Sequence, residues 1–208
     1  MVSESQPNRA SVAAQSPGAV FESGQTDRPP QSSVLPLGNK LARMAWGVVW
    51  LLLFRPSPAF LHAWRCMLLR LFGARVARGA HVYPSVRIWA PWNLALGEFA
   101  CLGYHVDVYC VAPVRIGART TVSQYSHLCA ATHDYTKPHY PLLTMPIEIG
   151  DDCWLAADTF VGPGVTIGTG AVIGARSTVL RDIPEWVVAA GHPAKVIKAR
   201  EYEGRAPA

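Results

Sequence analysis

The chain has 208 residues, 50% of them apolar and 16% charged, enough to bury a sizeable core in one domain plus an extension, which excludes a wholly disordered chain. The glycines follow no triplet period, and five cysteines in this length fall far below the density of a disulfide scaffold, so collagen and disulfide miniproteins are excluded as well. The formal charge is +5, but it is regional: from Arg28 to Gly97 there is no Asp or Glu, which points to one basic segment rather than to a nucleic-acid-binding chain.

Residues 1–38 are rich in Ser, Pro, Gln and Gly, with few large apolar side chains to offset the entropy of ordering, and are expected to form a disordered tail. This polar opening shows no signal-peptide pattern. The cysteines (Cys66, Cys101, Cys110, Cys129 and Cys153) contain no CxxC pair, which argues against a zinc ribbon and for a reducing, cytoplasmic address.

Residues 39–74 read as a basic amphipathic helical leader. Asn39 is a candidate N-cap for a helix running to about Phe54, where Pro56 and Pro58 stop it, and a second helix is expected from about Ala59 to Phe72, ended by Gly73. Neither apolar stretch reaches the roughly 20 residues that cross a bilayer. With Trp46, Trp50 and Trp64 among the arginines, the hairpin fits an anionic membrane surface, and equally a helical element that packs on the domain or on a neighbouring subunit.

The rest of the chain is periodic. Ile149, Leu155, Val161, Ile167, Ile173 and Val179 follow one another at intervals of six, and four residues after the first five stand Cys153, Thr159, Val165, Ala171 and Ser177, all small or β-branched. A period of six is neither helical nor that of an alternating strand; it is the period of a hexapeptide β-helix, which buries one aliphatic residue per repeat. Ile116, Val122 and Leu128 keep the same step in another phase, as do Val76, Val82 and Ile88, while Leu96-Gly97 and Leu102-Gly103 mark a slip. Leu128 and Ile149 are out of phase with each other, so a loop of about residues 131–146 leaves the coil between them. It carries Thr132-His133-Asp134-Tyr135, then Lys137, Pro138, His139 and Pro141, and a loop projecting from a rigid tube is a place for chemistry.

Those repeats, the THDY loop, Ile149-Gly150-Asp151-Asp152-Cys153-Trp154-Leu155, Gly162-Pro163-Gly164-Val165-Thr166-Ile167-Gly168 and the closing Ala190-Gly191-His192-Pro193-Ala194-Lys195-Val196-Ile197 resemble the hexapeptide-repeat acyltransferases. Within that superfamily the chain is most similar to the colanic acid biosynthesis acetyltransferase group, related to the galactoside and maltose O-acetyltransferases, over roughly residues 39–200. The resemblance implies an all-β fold, a left-handed parallel β-helix of hexapeptide repeats over residues 75–200, preceded by the helical hairpin and followed by a C-terminal tail, 201–208. It also implies a homotrimer with active sites between subunits, acetyl-CoA as cosubstrate, no required metal, and a sugar or lipid-linked saccharide as acceptor.

By position in the loop, the family's general base falls on His133. The chemistry asks for such a group: a sugar hydroxyl attacks a thioester well only if its proton is removed, and an imidazole can take that proton and return it to the leaving thiolate. Asp134 and Asp107 are the candidates to orient His133. For the cofactor, the resemblance matches Trp154 to a groove wall, Ala157 and Ala175 to contacts with the pantetheine arm, and Arg181, Lys195 and Lys198, with Arg200 close by, to the phosphates. Gly103 stands where the sugar acetyltransferases have an acceptor-positioning Asn, so the galactoside substrate does not carry over. Transfer to a small amine or xenobiotic, a carbonic-anhydrase-like zinc site using His127, His133 and His139, and a non-catalytic scaffold are the rival readings. Cys129 reads as a repeat residue rather than an acyl-accepting nucleophile.

Overall fold

The computed structural model describes residues 31–32 and 36–203; the expected tail over 1–30 and 33–35, and residues 204–208, lie outside the described residues. From Arg75 onward the strands fall in strict rotation on three parallel sheets, each of which makes one face of a tube. The first face stacks Arg75–Val76, Leu94–Leu96, Val114–Ile116, Ile147–Ile149 and Thr166–Ile167, with a last bridge at Ile183. The second stacks His81–Val82, Cys101–Leu102, Thr121–Val122, Trp154–Leu155, Val172–Ile173 and Val187–Gly191, and is closed by the antiparallel strand Ala194–Ala199. The third stacks Arg87–Ile88, Asp107–Tyr109, His127–Cys129, Phe160–Val161 and Thr178–Val179. This is a parallel β-solenoid, as expected.

The register explains the six-residue step. Val76, Leu96, Ile116, Ile149 and Ile167 are Cα partners in succession on the first face, and Val82, Leu102, Val122, Leu155 and Ile173 on the second; all are buried. The phase slips have a single location. Within a coil the inward residues stay six apart, and the additional residues between Ile88 and Leu96, Val108 and Ile116, and Leu128 and Ile149 all enter at the edge between the third and first faces. An insertion confined to one edge leaves the ladders on all three faces in register. At the edge between the first and second faces the coils approach most closely: a Cβ on Gly150 would lie 2.6 Å from the backbone nitrogen of Thr169, and one on Gly168 2.6 Å from that of Glu185. That contact is why an aliphatic residue is followed there by glycine.

The leader packs on the lower coils and differs in detail from expectation. Helix α1 (Leu37–Val49) begins before Asn39, with Pro36 as the flanking residue. Asn39 therefore lies inside the first turn, where its Oδ1 accepts a bond from Arg43 Nε at 3.1 Å. A π-helical turn, Trp50–Phe54, ends it. Helix α2 (His62–Leu71) starts later than Ala59, because the carbonyls of Pro58 and Ala59 are turned to the Arg65 guanidinium. Gly73 closes it with φ +87, as its sequence position predicts. Gln31–Ser32, placed in the disordered tail by composition, pairs instead as an antiparallel strand with Leu142–Thr144.

Two tryptophans and the buried Arg65 tie the leader down. Trp46 Nε1 donates to the Ile88 carbonyl at 2.7 Å and Trp50 Nε1 to that of Val86 at 2.8 Å. Arg65 has no exposed surface and meets no carboxylate; it donates to the Val82 carbonyl of the first coil at 2.6 Å and to Ser57 Oγ and the Pro58 carbonyl at 2.8 Å. A buried guanidinium saturated by carbonyls avoids the cost of an unpaired charge and joins the turn between the helices to the solenoid.

Candidate active site

The long insertion is a hairpin. Ala131–His133 and Leu142–Thr144 pair antiparallel, with His133 opposite Leu142, and the turn between them carries Asp134 to Pro141. His139 and Tyr140 both have positive φ, +67 and +47, an expensive backbone for residues with a Cβ. That turn presents the Tyr140 carbonyl to the exposed His133 ring, with 2.6 Å between Nδ1 and the oxygen. A carbonyl only accepts, so Nδ1 carries a proton, and in the neutral ring the lone pair is on Nε2. The arrangement is what a general base requires.

Asp134, expected to orient His133, has other partners, and Asp107 lies on the third face. Asp134 Oδ1 accepts from the Thr136 backbone N–H at 3.0 Å and from its hydroxyl at 2.5 Å, and Oδ2 lies 3.2 Å from Lys137 Nζ. The Thr136 hydroxyl, followed by its N–H and by Lys137, holds the Asp134 carboxyl below the usual carboxylate range. Asp134 therefore shapes the turn. Asp107 is on the third face, with His127 as its Cα partner, and lines a cavity of about 440 Å³ between α1 and that face. The cavity is walled by Trp50, Trp89 and Tyr109 with Arg43, Arg87 and Asp107, and Arg43 lies over the Trp89 ring at 4.2 Å. Tyr109, which lines the cavity, is the Cα partner of Cys129, from which the chain enters the His133 hairpin.

The residues matched to the cofactor lie mostly elsewhere. Ala157 and Ala175 occupy equivalent turns on adjacent coils at the edge between the second and third faces, where the Ala157 carbonyl accepts from the Arg176 N–H at 2.8 Å. Those turns carry small side chains, whereas lower coils carry a ladder of rings along the same edge: Tyr83 and Tyr104 at 4.3 Å, His105 and Tyr125 stacked at 5.1 Å. Trp154 stands half exposed on the second face, its Nε1 donating to Ser123 Oγ at 3.0 Å. Lys195 and Lys198 are exposed on the strand that closes that face, while Arg181 is exposed at the other edge, beside the coil end that follows Val179. Arg200 plays a structural part, since its guanidinium donates to the carbonyls of Asp152 and Gly170 at 2.7 and 2.8 Å. Within one protomer, then, His133 and the Ala157 and Ala175 turns lie at opposite edges of the third face.

The thiols and histidines offer no other centre. Burial pushes the Cys129 thiol up, and that of Cys110 to about 12, so neither is a ready thiolate. Among the described residues no three His, Cys, Asp or Glu side chains converge as metal ligands; His127, His133 and His139 stay apart as a set. Sequence reasoning missed Tyr140, which acts through its carbonyl and so has no side-chain signature, and the cavity ring Trp89, whose signal was its place directly after the inward Ile88.

Stacked coils built from six-residue steps, with one hairpin lifting an imidazole off the tube, define a hexapeptide-repeat solenoid. Residues 146–181 match the family described as bacterial transferase hexapeptide (six repeats). The chain is 45% identical over 163 residues, 78% of its own length and 90% of the relative's, to an Escherichia coli (strain K12) protein named as a colanic acid biosynthesis acetyltransferase, WcaF. Among solved structures it superposes on a galactoside acetyltransferase in complex with coenzyme A with TM-score 0.74, at 28% identity, covering 81% of this chain and 86% of that one. It superposes equally on a maltose O-acetyltransferase from Clostridium difficile 630 with TM-score 0.73, at 26% identity, covering 80% and 90%. The chain belongs to the hexapeptide-repeat acyltransferase family.

Proposed function

We propose that the protein transfers an acetyl group from acetyl-CoA to a hydroxyl of a saccharide, a precursor of a surface polysaccharide, with His133 as general base. The observation that carries this reading is the Nδ1 contact of His133 with the Tyr140 carbonyl, which in the neutral ring puts the lone pair on Nε2, on an exposed, projecting hairpin. Nε2 takes the hydroxyl proton as the oxygen attacks the thioester carbon; the C–S bond then breaks and the proton passes to the departing thiolate. No acyl-enzyme is needed, in keeping with cysteines whose thiols are held protonated by burial.

The acceptor is assigned to the cavity between α1 and the third face, one strand below the start of the His133 hairpin. Trp50, Trp89 and Tyr109 offer ring faces to a sugar, and Asp107, Arg43 and Arg87 offer hydrogen bonds to its hydroxyls. The acceptor class follows the colanic acid relative rather than the galactoside one, since Gly103 replaces the acceptor-positioning Asn. Because His133 and the Ala157 and Ala175 turns lie at opposite edges of one face, acetyl-CoA would sit between protomers. One chain supplies His133 and Arg181, and its neighbour supplies Trp154, Ala157, Ala175, Lys195 and Lys198, which a closed trimer accomplishes three times over.

The test is acetyl-CoA consumption against nucleotide sugars, free sugars and lipid-linked oligosaccharides, run with the wild type and His133→Ala. The expected result is saccharide-dependent turnover that falls by about 10²–10⁴-fold in the variant while acetyl-CoA binding by calorimetry is kept. Wild-type turnover in His133→Ala overturns the assignment.

A further inference from the structure

The leader is apolar on two sides, and the solenoid covers only one of them. Trp46 and Phe54 face the coils and are buried, as are Cys66 and Leu69 of α2. On the opposite side of α1, Leu37, Leu41, Met44, Val48 and Leu52 follow one another at steps of three and four and fall within an arc of roughly 100°. They are exposed, Leu37 by 71% and Met44 by 69%. Helix α2 and the turn before it repeat the pattern with Phe60, Trp64, Met67 and Leu71, exposed by 78% at Phe60 and 77% at Leu71. Trp64 has its polar edge satisfied inside the leader, Nε1 donating to the Leu53 carbonyl at 3.0 Å, so it too offers carbon outward. An exposed apolar face of this extent marks an interaction site.

The charges around it select the occupant. Lys40 flanks the stripe and Arg55 closes the first helix, both exposed; Arg70, whose guanidinium donates to the Val76 and Ala77 carbonyls, and the exposed Arg75 and Arg78 lead into the first coil, with no carboxylate anywhere from Arg28 to Gly97. A second copy docking through the same face would set these cations against one another with no leader carboxylate to meet them. A bilayer rich in anionic headgroups meets both the apolar stripe and its cationic rim. No helix among the described residues is long and apolar enough to cross a membrane. The inner faces are tied to the solenoid through Trp46, Trp50 and Arg65, so the leader can lie in the interface without leaving its coils.

We propose that the outward face of α1 and α2 is a lipid-contact surface that seats the protein flat on an anionic bilayer. The proposal is independent of the acetyl-transfer reading. It is tested with the full chain by co-sedimentation with vesicles of phosphatidylcholine alone and of phosphatidylcholine with phosphatidylglycerol, using the wild type and Met44→Glu/Leu71→Glu. Wild type should pellet with the anionic vesicles, weaken steeply with salt, and bind neutral vesicles at least tenfold less. The double variant, altered only at exposed positions and so expected to keep the wild-type thermal midpoint, should bind anionic vesicles about tenfold or more weakly. Wild type remaining in the supernatant at every phosphatidylglycerol fraction overturns the proposal, and so does a double variant that binds like wild type. Vesicle binding absent together with a smaller oligomer for the double variant in sedimentation velocity also overturns it, in favour of a protein partner on this face.

Discussion

His133 Nδ1 and the Tyr140 carbonyl oxygen stand 2.6 Å apart, so a backbone group, rather than a carboxylate, holds the tautomer of the hairpin imidazole. The hold depends on the positive φ of Tyr140, +47. Proline cannot adopt that angle and glycine adopts it freely. Tyr140→Pro should therefore lower kcat about 10–100-fold and distort the pH–rate profile, with the KM for acetyl-CoA little changed, while Tyr140→Gly keeps the carbonyl and most of the activity. Equal damage from both variants would show that the phenol, not the carbonyl, matters.

The close approach of coils at Gly150 predicts a packing cost that no pairing of side chains reveals. A methyl group there must displace the Thr169 backbone, 2.6 Å from the position of the added carbon. Gly150→Ala is expected to lose on the order of 2 kcal/mol, a fall of about 4–8 °C in Tm for a chain of this size, measured by thermal unfolding. An unchanged Tm would mean that the coils can part at this edge.

Much of this architecture is legible because a β-helix buries one side chain per six residues, and a period survives substitution of any single position. The steps from Ile149 to Val179 and the break after Leu128 locate the coils and the hairpin with no knowledge of contacts. What stays hidden is the pairing of distant groups. Asp134 looks like a partner for His133 by adjacency, yet neighbouring residues on a strand point to opposite sides, and its carboxylate closes a turn on Thr136 instead. Arg65 reads as one more surface cation among many, because nothing local signals that carbonyls from Val82 and Pro58 will surround it. The start of α1 is hidden for a related reason: Asn39 is a good cap by type, but its side chain meets Arg43.

Arg65 supports a prediction about how the leader is held. In Arg65→Met a side chain of similar length keeps the packing, while the Ala59 carbonyl loses its guanidinium donor and the Val82 and Pro58 carbonyls keep only the His62 ring and the Leu61 N–H. The expected loss is on the order of 3 kcal/mol or more in urea unfolding, with release of the leader seen as a change in tryptophan emission. A neutral substitution would mean that solvent reaches those carbonyls.

His62 adds a pH dependence to the same contact. Burial holds its pKa below the ordinary 6.5, against the opposing Val82 carbonyl and with help from the Arg65 charge. The unfolded chain thus binds a proton more readily than the folded one. This contribution to stability is complete above pH 6.5 and is lost as the pH falls through the lowered folded value. Urea midpoints at about pH 7.5 and about pH 5 should differ less in His62→Gln than in the wild type; an identical pH dependence in the two would remove His62 from the account.

The cavity between α1 and the third face yields the sharpest test of where the acceptor sits, because its lining residues are separate from His133 and from the Ala157 and Ala175 turns. Trp89 is stacked under Arg43 and meets Tyr109 edge to face at 5.6 Å, so Trp89→Ala removes ring surface from the middle of the wall. Loss of a stacking face weakens binding of ground state and transition state alike. The KM for the saccharide should rise about 10–100-fold with kcat and the KM for acetyl-CoA nearly unchanged. Trp89→Phe, which keeps an aromatic face, should recover most of the difference, and Asp107→Asn should raise the saccharide KM by removing a charged acceptor of hydroxyl protons. If Trp89→Ala instead lowers kcat and both KM values drift with a falling thermal midpoint, the ring is holding α1 in place and the acceptor must bind elsewhere on the hairpin edge.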